Sequence, residues 1–589
     1  MKYKTTIPLC VLLLSVLVLS FLPYVAVEWK LGGAAFTVPV GAYSEGDYYY
    51  DRIQEIKDGH PLLGNPYFYE YRNEITPAFF LADWIGSVPS LLGLSLLSTT
   101  VLNFCVWSLF LALLLYLFFK RLGLPRTASA LGSFFVYAML FVFIVRAVSM
   151  QIVFPFFLLF LFFQYVWLTH PRSLKNNFWL GFSGALAGTL YTYSLLVVVT
   201  TLFLTGVIFV LKKEKEVVPD LLKVGGIFIF FSLPLFFFTT LQLHNPYYWE
   251  TMARIGLVFT HLPTMLFFTS SFWIFAMFGV WAVLYFSELR EWCLRYKTDL
   301  LFWFVTGTSL VLVSGSNIIT GKDLETSEHL ERYVILWLGL AFVWSLYRIG
   351  TGEWRRLKVI RRTAVITLLL VAFFGSLRYI SLYGPEAAWS DGYGIPTVLK
   401  SVQEFERPLG WLNTNVPERS VIWTNSDNTL NNYVAMLTHH YSLFKVGGIL
   451  HLMPSAEAID RYLTAKYFHL TEDELIAQNN LYEGAGNAIH QYKTQNRRVW
   501  LCRLFFGKGR CGPFVDLVTW RGQAYFDALY KKYTDDIRPH ILEQLKKYHV
   551  AYAVRDLTTD RYFDPSKISG ATLVYHDPRF LIYSFSFNQ

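Results

Sequence analysis

The sequence predicts an α-helical, multi-pass membrane domain of about eleven spans (residues 1–383), followed by an extracytoplasmic α/β domain (384–589). Three observations carry this. The chain is 54% hydrophobic and 18% aromatic with a mean hydropathy of +0.37, which excludes an ordinary soluble protein. Its apolar runs reach the length needed to cross a hydrocarbon core of roughly 30 Å. Short basic loops punctuate those runs, at Lys2–Lys4, Lys120–Arg126, Arg172–Lys175, Lys212–Lys223, Arg290–Lys297 and Arg355–Arg362. These loops hold 19 Lys and Arg against six acids in or beside them, a net +13 that exceeds the +9 of the whole chain. By the positive-inside rule they are cytoplasmic. The basic balance is therefore a topology signal and gives no reason to invoke nucleic acid.

The spans follow in order. The first, 6–27, sits behind Lys2 and Lys4. That arrangement also fits a signal peptide, but no small-x-small cleavage site follows, and cleavage would leave the topology unchanged. The next is 97–119. The stretch 127–168 must fold as a hairpin of 127–145 and 150–168, with Arg146 near its outer tip, because basic loops flank both ends. The same logic splits 177–211 into 177–193 and 194–211, turning near Tyr191-Thr192-Tyr193, since Lys175 and Lys212 both belong inside. Then come 222–243, 265–287, 299–314, 333–349 and 363–383. With the N-terminus inside, an odd number of spans puts the C-terminal domain outside, at the plasma (inner) membrane of a cell envelope.

Beyond 384 the apolar runs shorten and soluble patterns begin. Ser420–Thr424 reads as a buried strand and Thr429–His439 as a helix. Ala456–Phe468 and Ile537–Tyr548 have amphipathic helical spacing. Val550–Val554 reads as a strand, and Ala571–Tyr575 with Phe580–Phe585 as a hairpin split by Asp577-Pro578. At roughly 200 residues this domain can bury a core of its own. Cys10 and Cys105 fall in spans and Cys293 in a cytoplasmic loop, so only Cys502 and Cys511 face the compartment where disulfides persist. Spacing alone does not decide whether that pair is bonded.

The outer segment 28–96 holds the residues best suited to chemistry. In Ser44-Glu45-Gly46-Asp47-Tyr48-Tyr49-Tyr50-Asp51-Arg52-Ile53-Gln54-Glu55 the acids Asp47, Asp51 and Glu55 recur every four residues, sharing one helix face. Gly59 before Pro61 predicts the helix end. Like charges at this spacing repel by a few tenths of a kcal/mol each, which invites a cation, a metal or a basic partner. A structural reading stands beside this one. Ser44-x-x-Asp47 matches a capping box, with Asp47 as its N3 acid, while Asp51 would pair locally and Glu55 would be solvated.

The architecture and this loop together resemble the GT-C superfamily of membrane glycosyltransferases that use polyprenyl-phosphate-linked sugars, a group including oligosaccharyltransferases, O-mannosyltransferases and aminoarabinose transferases. The likeness rests on Asp47, Tyr50, Arg52-Ile53, Asp58-Gly59-His60-Pro61 and Gly64-Asn65-Pro66-Tyr67. Leu409-Gly410-Trp411-Leu412-Asn413 and Leu545–Tyr552 carry it into the tail. It implies an inverting glycosyltransferase working on the outer face, with a lipid, glycan or protein as acceptor. Asp47 matches the acidic base or metal ligand of the first outer loop, with Asp51 second. Two carboxylates one turn apart can hold a divalent ion, Mg or Mn, or act without one. A positioned carboxylate can take the proton of an attacking hydroxyl, and the departing lipid phosphate needs cationic stabilisation.

Candidate donor-phosphate groups lie in the two shorter outer loops, 244–264 and 315–332. Arg254 and His261 come from the first, and His329 and Arg332 follow Asn317 in the second. Asn317-Ile318-Ile319-Thr320-Gly321 before His329 resembles a pattern of bacterial and archaeal members. Snorkelling to the interface would explain Arg254, and helix capping His329, without any ligand. Arg146 and Arg378 sit near outer span ends. The loop lacks the Asp-Glu pair of O-mannosyltransferases, and Trp389-Ser390-Asp391-Gly392-Tyr393 has the wrong residue order for the oligosaccharyltransferase signature. Two competing classes are a transporter or flippase of lipid-linked glycans and an inactive GT-C-like scaffold. The first should show repeat symmetry and mid-span charge; neither is evident.

Overall fold

The computed structural model describes residues 7–31, 47–171, 173–286, 290–351, 403–425 and 429–586. The eleventh expected span, the domain boundary at 383/384, Arg378 and Trp389–Tyr393 lie outside these residues.

The membrane domain contains α1 (Ile7–Leu31), α4 (Leu96–Arg121), α5 (Arg126–Ile144), α6 (Ser149–Thr169), α7 (Leu174–Leu190), α8 (Thr192–Leu211), α9 (Val218–His244), α11 (Met265–Tyr285), α13 (Lys297–Ser314) and α15 (Thr326–Thr351). Between them lie the short helices α2 (Asp47–Lys57), α3 (Leu81–Leu91), α10 (Tyr248–Ile255), α12 (Arg290–Arg295) and α14 (Ser316–Thr320). Among the described residues, seven helices are long and apolar enough to cross a membrane, so the chain is a multi-pass membrane protein. The long run 177–211 breaks where charge required it: Tyr191 is extended (φ −159°, ψ 131°) between α7 and α8. The 127–168 run breaks at Val145–Val148, with Arg146 in the turn.

Both shorter outer loops fold against each other. Strands β1 (Val258–Phe259) and β2 (Lys322–Asp323) pair antiparallel, Val258 opposite Asp323. α15 begins at Thr326, seven residues before the apolar run at 333, and its added first turns, Thr326–Arg332, are polar apart from Leu330.

The C-terminal domain is built on a five-stranded mixed sheet of order β4-β3-β5-β7-β6. Here β3 is Val421–Thr424, β4 Tyr441–Ser442, β5 Val550–Asp556, β6 Ala571–His576 and β7 Phe580–Phe585. β4 and β5 flank β3 in parallel, and β7 and β6 extend the sheet antiparallel. β3 is buried at all four positions, as its unbroken apolar run predicts. The expected helices occur at Asn431–Leu437 and Ser455–Ala465. The one expected over 537–548 is divided: a π-helical turn, Tyr533–Ile537, precedes Ile541–Lys547.

The outer loops grip this domain through named bonds. Asn65 donates to the Gly448 carbonyl at 2.8 Å and accepts from the Tyr67 and Phe68 amides. The Ser442 amide donates to the Tyr67 carbonyl at 2.8 Å. A Cβ on Gly448 would come within 2.5 Å of the Phe68 ring, so this seam needs glycine. The Gly64-Asn65-Pro66-Tyr67 motif thus serves as the latch between loop and tail.

Candidate active site

α2 ends as its sequence predicts. The Gly59 amide bonds the Ile56 carbonyl and the His60 amide bonds the Glu55 carbonyl, with Gly59 at φ 93°. This is the Schellman pattern that glycine makes inexpensive. The described part of the helix begins at Asp47, and Ser44, the expected cap, lies outside the described residues.

One face of α2 borders a cavity of about 200 Å³ where the α5–α6 and α7–α8 turns meet the start of α15. Tyr48, Tyr49 and Arg52 come from α2, Asp83 from α3, Tyr191 and Tyr193 from the α7–α8 turn, and Glu325 and His329 from the start of α15. Arg52 and Asp83 form a buried bidentate pair at 2.9 and 2.7 Å. The other guanidinium nitrogen donates to Tyr48 (2.8 Å) and Thr76 (2.9 Å). Five donors in a rigid fork suit this arrangement.

His329 sits on the opposite wall. Its Nδ1 lies 2.6 Å from the Tyr191 hydroxyl, and its ring stacks on Tyr193 at 4.4 Å and 13°. Nε2 faces Glu325 at 3.5 Å, and the other Glu325 oxygen holds His490 of the tail at 2.7 Å. Burial opposes ionisation of Glu325, but the two histidines prevail and hold its carboxyl down at about 2. Arg332 and Arg146 both act electrostatically on Tyr191; Arg146 also lies over the Tyr49 ring at 5.3 Å. Beside α2 the tail inserts His451, buried near Tyr48 and Tyr67. Burial, and then the charge of Arg52, push its imidazole down to about 3, so it is neutral at pH 7.

A second, apolar cavity of about 460 Å³ adjoins the first, with Phe79 lining both. α3, α7 and α9 form it, through Trp84, Phe182, Leu186, Phe231 and Phe238.

The structure brings some of the expected residues to this cavity and uses others elsewhere. His329 lines it, and Arg332 stands beside it. Asp47 opens the helix that borders it. Asp51 is fully buried on the neighbouring face of α2 and is not among the lining residues. Glu55 pairs with His60 at 2.7 Å. Burial is the larger influence on that carboxyl and raises it, His60 opposing.

Arg254, expected as a phosphate contact, has another occupation. It is wholly buried and donates to the carbonyls of Ile449 (2.7 Å), His451 (3.2 Å) and Met453 (2.7 Å), and to Ser455 (2.6 Å). A span-end arginine can satisfy carbonyls as well as phosphates, and here the tail supplies the carbonyls. His261 bonds the Ile318 carbonyl at 3.0 Å. Asn317 is buried and donates to Thr260 and Leu262, stapling the two loops. Cys502 and Cys511 are joined in a disulfide. Among the described residues no three His, Cys, Asp or Glu side chains group as a metal site. Arg52, Asp83, Tyr191, Tyr193 and Glu325 carried no assigned role in the sequence.

No protein-family model matches the chain, and no curated protein does. Among solved structures it is similar to ArnT from Cupriavidus metallidurans in the apo state, at 10% identity over 96% of this chain and 97% of that one (TM-score 0.47). The same enzyme bound to undecaprenyl phosphate aligns at 9% identity over 96% and 97% (TM-score 0.47). The Archaeoglobus fulgidus oligosaccharyltransferase tethered to an acceptor peptide aligns at 13% over 93% and 69% (TM-score 0.41). At these values the likeness assigns neither a family nor an activity.

Proposed function

We propose that the protein is a GT-C-like glycosyltransferase that moves a sugar from a polyprenyl-phosphate donor to an acceptor on the outer face of the membrane. The observation that carries this reading is the pair of adjoining cavities. One sets ionisable groups and tyrosines into an otherwise apolar lining (Pro77, Val148, Leu190 and Ile255 among it), the other is almost wholly apolar, and Phe79 borders both. A ligand with a charged head and a long hydrocarbon chain matches that division. The head would lie between α2 and His329, and the chain among Trp84, Phe182 and Phe238.

In this reading the acceptor hydroxyl oxygen attacks the anomeric carbon while the carbon–oxygen bond to the lipid phosphate breaks, inverting the centre. Asp47, at the start of α2, takes the hydroxyl proton, with Asp51 supporting it. His329 and Arg332 stabilise the departing phosphate, whose charge rises as the bond opens. Arg146 adds positive potential from the neighbouring turn.

Photo-crosslinking tests the binding half. A diazirine-bearing polyprenyl phosphate should label peptides around Phe182–Leu186 and Phe231–Phe238, and unlabelled polyprenyl phosphate should compete. Labelling confined to other spans would contradict the assignment.

A further inference from the structure

A third, polar pocket of about 140 Å³ lies where the end of α2 meets the tail. Glu55, Asp58 and His60 line it from the loop, and Glu418, Arg419, Thr438, His439 and His440 from the tail. Pro66, Ala435 and Tyr441 supply apolar wall. α2 therefore faces two sites: Tyr48, Tyr49 and Arg52 border the cavity, and Glu55 and Asp58 border this pocket about one to three turns further along.

Two features mark the pocket as more than a crevice between domains. His440 is 3% exposed, and its Nε2 lies 3.2 Å from the Leu412 carbonyl. The carbonyl can only accept, so Nε2 carries the proton and Nδ1 is a lone-pair acceptor. That Nδ1 is buried without a hydrogen-bond partner, a costly state unless something supplies a donor. Arg419, whose side chain borders the pocket, is held at φ 66°, a left-handed conformation that costs a non-glycine residue on the order of 1 kcal/mol or more. Its amide bonds the His439 carbonyl at 2.8 Å, which fixes the strained turn.

The wall chemistry narrows the ligand. Glu55 is paired with His60 at 2.7 Å and Asp58 with His439 at 2.8 Å. The unmet acceptor is therefore His440 Nδ1, beside the remaining carboxylate lone pairs and Glu418, and the ligand must donate hydrogen bonds. Three carboxylates, Glu55, Asp58 and Glu418, disfavour an anion, and among the described residues no three ligands converge for a metal. The Thr438 hydroxyl already donates to the Val434 carbonyl, but the Arg419 guanidinium is a donor that calls for an acceptor, which a simple cation lacks. Hydroxyl groups both donate and accept, and the ring carbons of a sugar suit Pro66, Ala435 and Tyr441. We infer that this pocket is a carbohydrate subsite that takes one neutral pyranose unit. Its ligand class stands on the pocket alone; that the sugar belongs to the transfer acceptor rests on the proposed glycosyltransferase reading.

Saturation-transfer NMR on the full chain in a lipid nanodisc, free of glycoside detergents, tests this with glucose, galactose, mannose and N-acetylglucosamine as probes and ethanolamine as the cationic control. At least one pyranose should give a saturable signal, weakened about tenfold or more in His440→Phe and in Arg419→Gly. The second variant keeps the left-handed turn, so it reports on the pocket even where His440→Phe fails to fold. No pyranose signal, a signal from ethanolamine alone, or undiminished binding in either folded variant overturns the inference. In a transfer assay the bound pyranose should also compete with acceptor. If binding persists without competition, the subsite stands and its acceptor role falls; if no transfer occurs at all, the glycosyltransferase reading fails separately.

Discussion

Glu325 holds His490 of the C-terminal domain at 2.7 Å with one carboxylate oxygen while the other faces His329, on the wall of the cavity, at 3.5 Å. The tail is thereby wired to the residue that stacks on Tyr193 and meets Tyr191. Glu325 does this from a left-handed conformation, φ 53°, a strain that persists only where the surroundings enforce it.

This carboxyl titrates at about 2 in the folded protein against an ordinary 4.5. A depressed carboxylate contributes stability above its unfolded value and loses it as pH falls toward the folded one. Glu325→Gln should therefore be less stable than wild type at pH 7, and the difference should shrink below pH 4.5 and vanish near pH 2. Thermal unfolding followed by tryptophan fluorescence across that range checks it.

Arg254→Ala should act on stability rather than on donor binding. It strands the buried carbonyls of Ile449 and Met453 and leaves that of His451 with the Thr251 hydroxyl alone, each stranded group costing about 1 kcal/mol or more. Arg254→Lys should rescue little, because one ammonium cannot span the same set. The folded fraction should keep its KM for donor, measured after removing aggregated protein.

The Arg52–Asp83 pair should show strong coupling. Removing either partner leaves a buried charge, at a cost of about 3–5 kcal/mol. Arg52→Met combined with Asp83→Leu should recover much of that loss. A double-mutant cycle on unfolding midpoints measures it.

His329→Ala should lower kcat and kcat/KM for the lipid-linked donor about tenfold with a smaller change in KM, as loss of a contact that strengthens in the transition state requires. Tyr191→Phe should shift kcat in the same direction by less. Steady-state assays over a range of donor concentration separate the two parameters.

The membrane half was legible because hydropathy and loop charge are local signals. Lys175 and Lys212 alone required the break that appears at Tyr191. Strands Val421–Thr424 and Phe580–Phe585 were legible for the same reason, as short apolar runs bounded by turns. The helices between 472 and 532 were not, since kinks such as Gly484 at φ 74° interrupt their period. β4 has only two residues and no pattern to read. The site was harder still. Arg52 finds Asp83 and Tyr191 finds His329 across separations of 31 and 138 residues, which no local spacing encodes. Arg254 had the right chemistry for phosphate, and only the fold reveals that carbonyls took it.

The central claim is transfer from a polyprenyl-phosphate sugar with Asp47 as base, and one measurement tests it most directly. Wild-type protein and Asp47→Asn, reconstituted in liposomes, are given radiolabelled polyprenyl-phosphate sugar and acceptor from outer-face membrane extracts. Wild type should transfer label, and Asp47→Asn should lose on the order of 10²-fold or more in rate while still binding the donor. Transfer by Asp47→Asn at the wild-type rate, or none by wild type with any polyprenyl-phosphate sugar, would contradict the account.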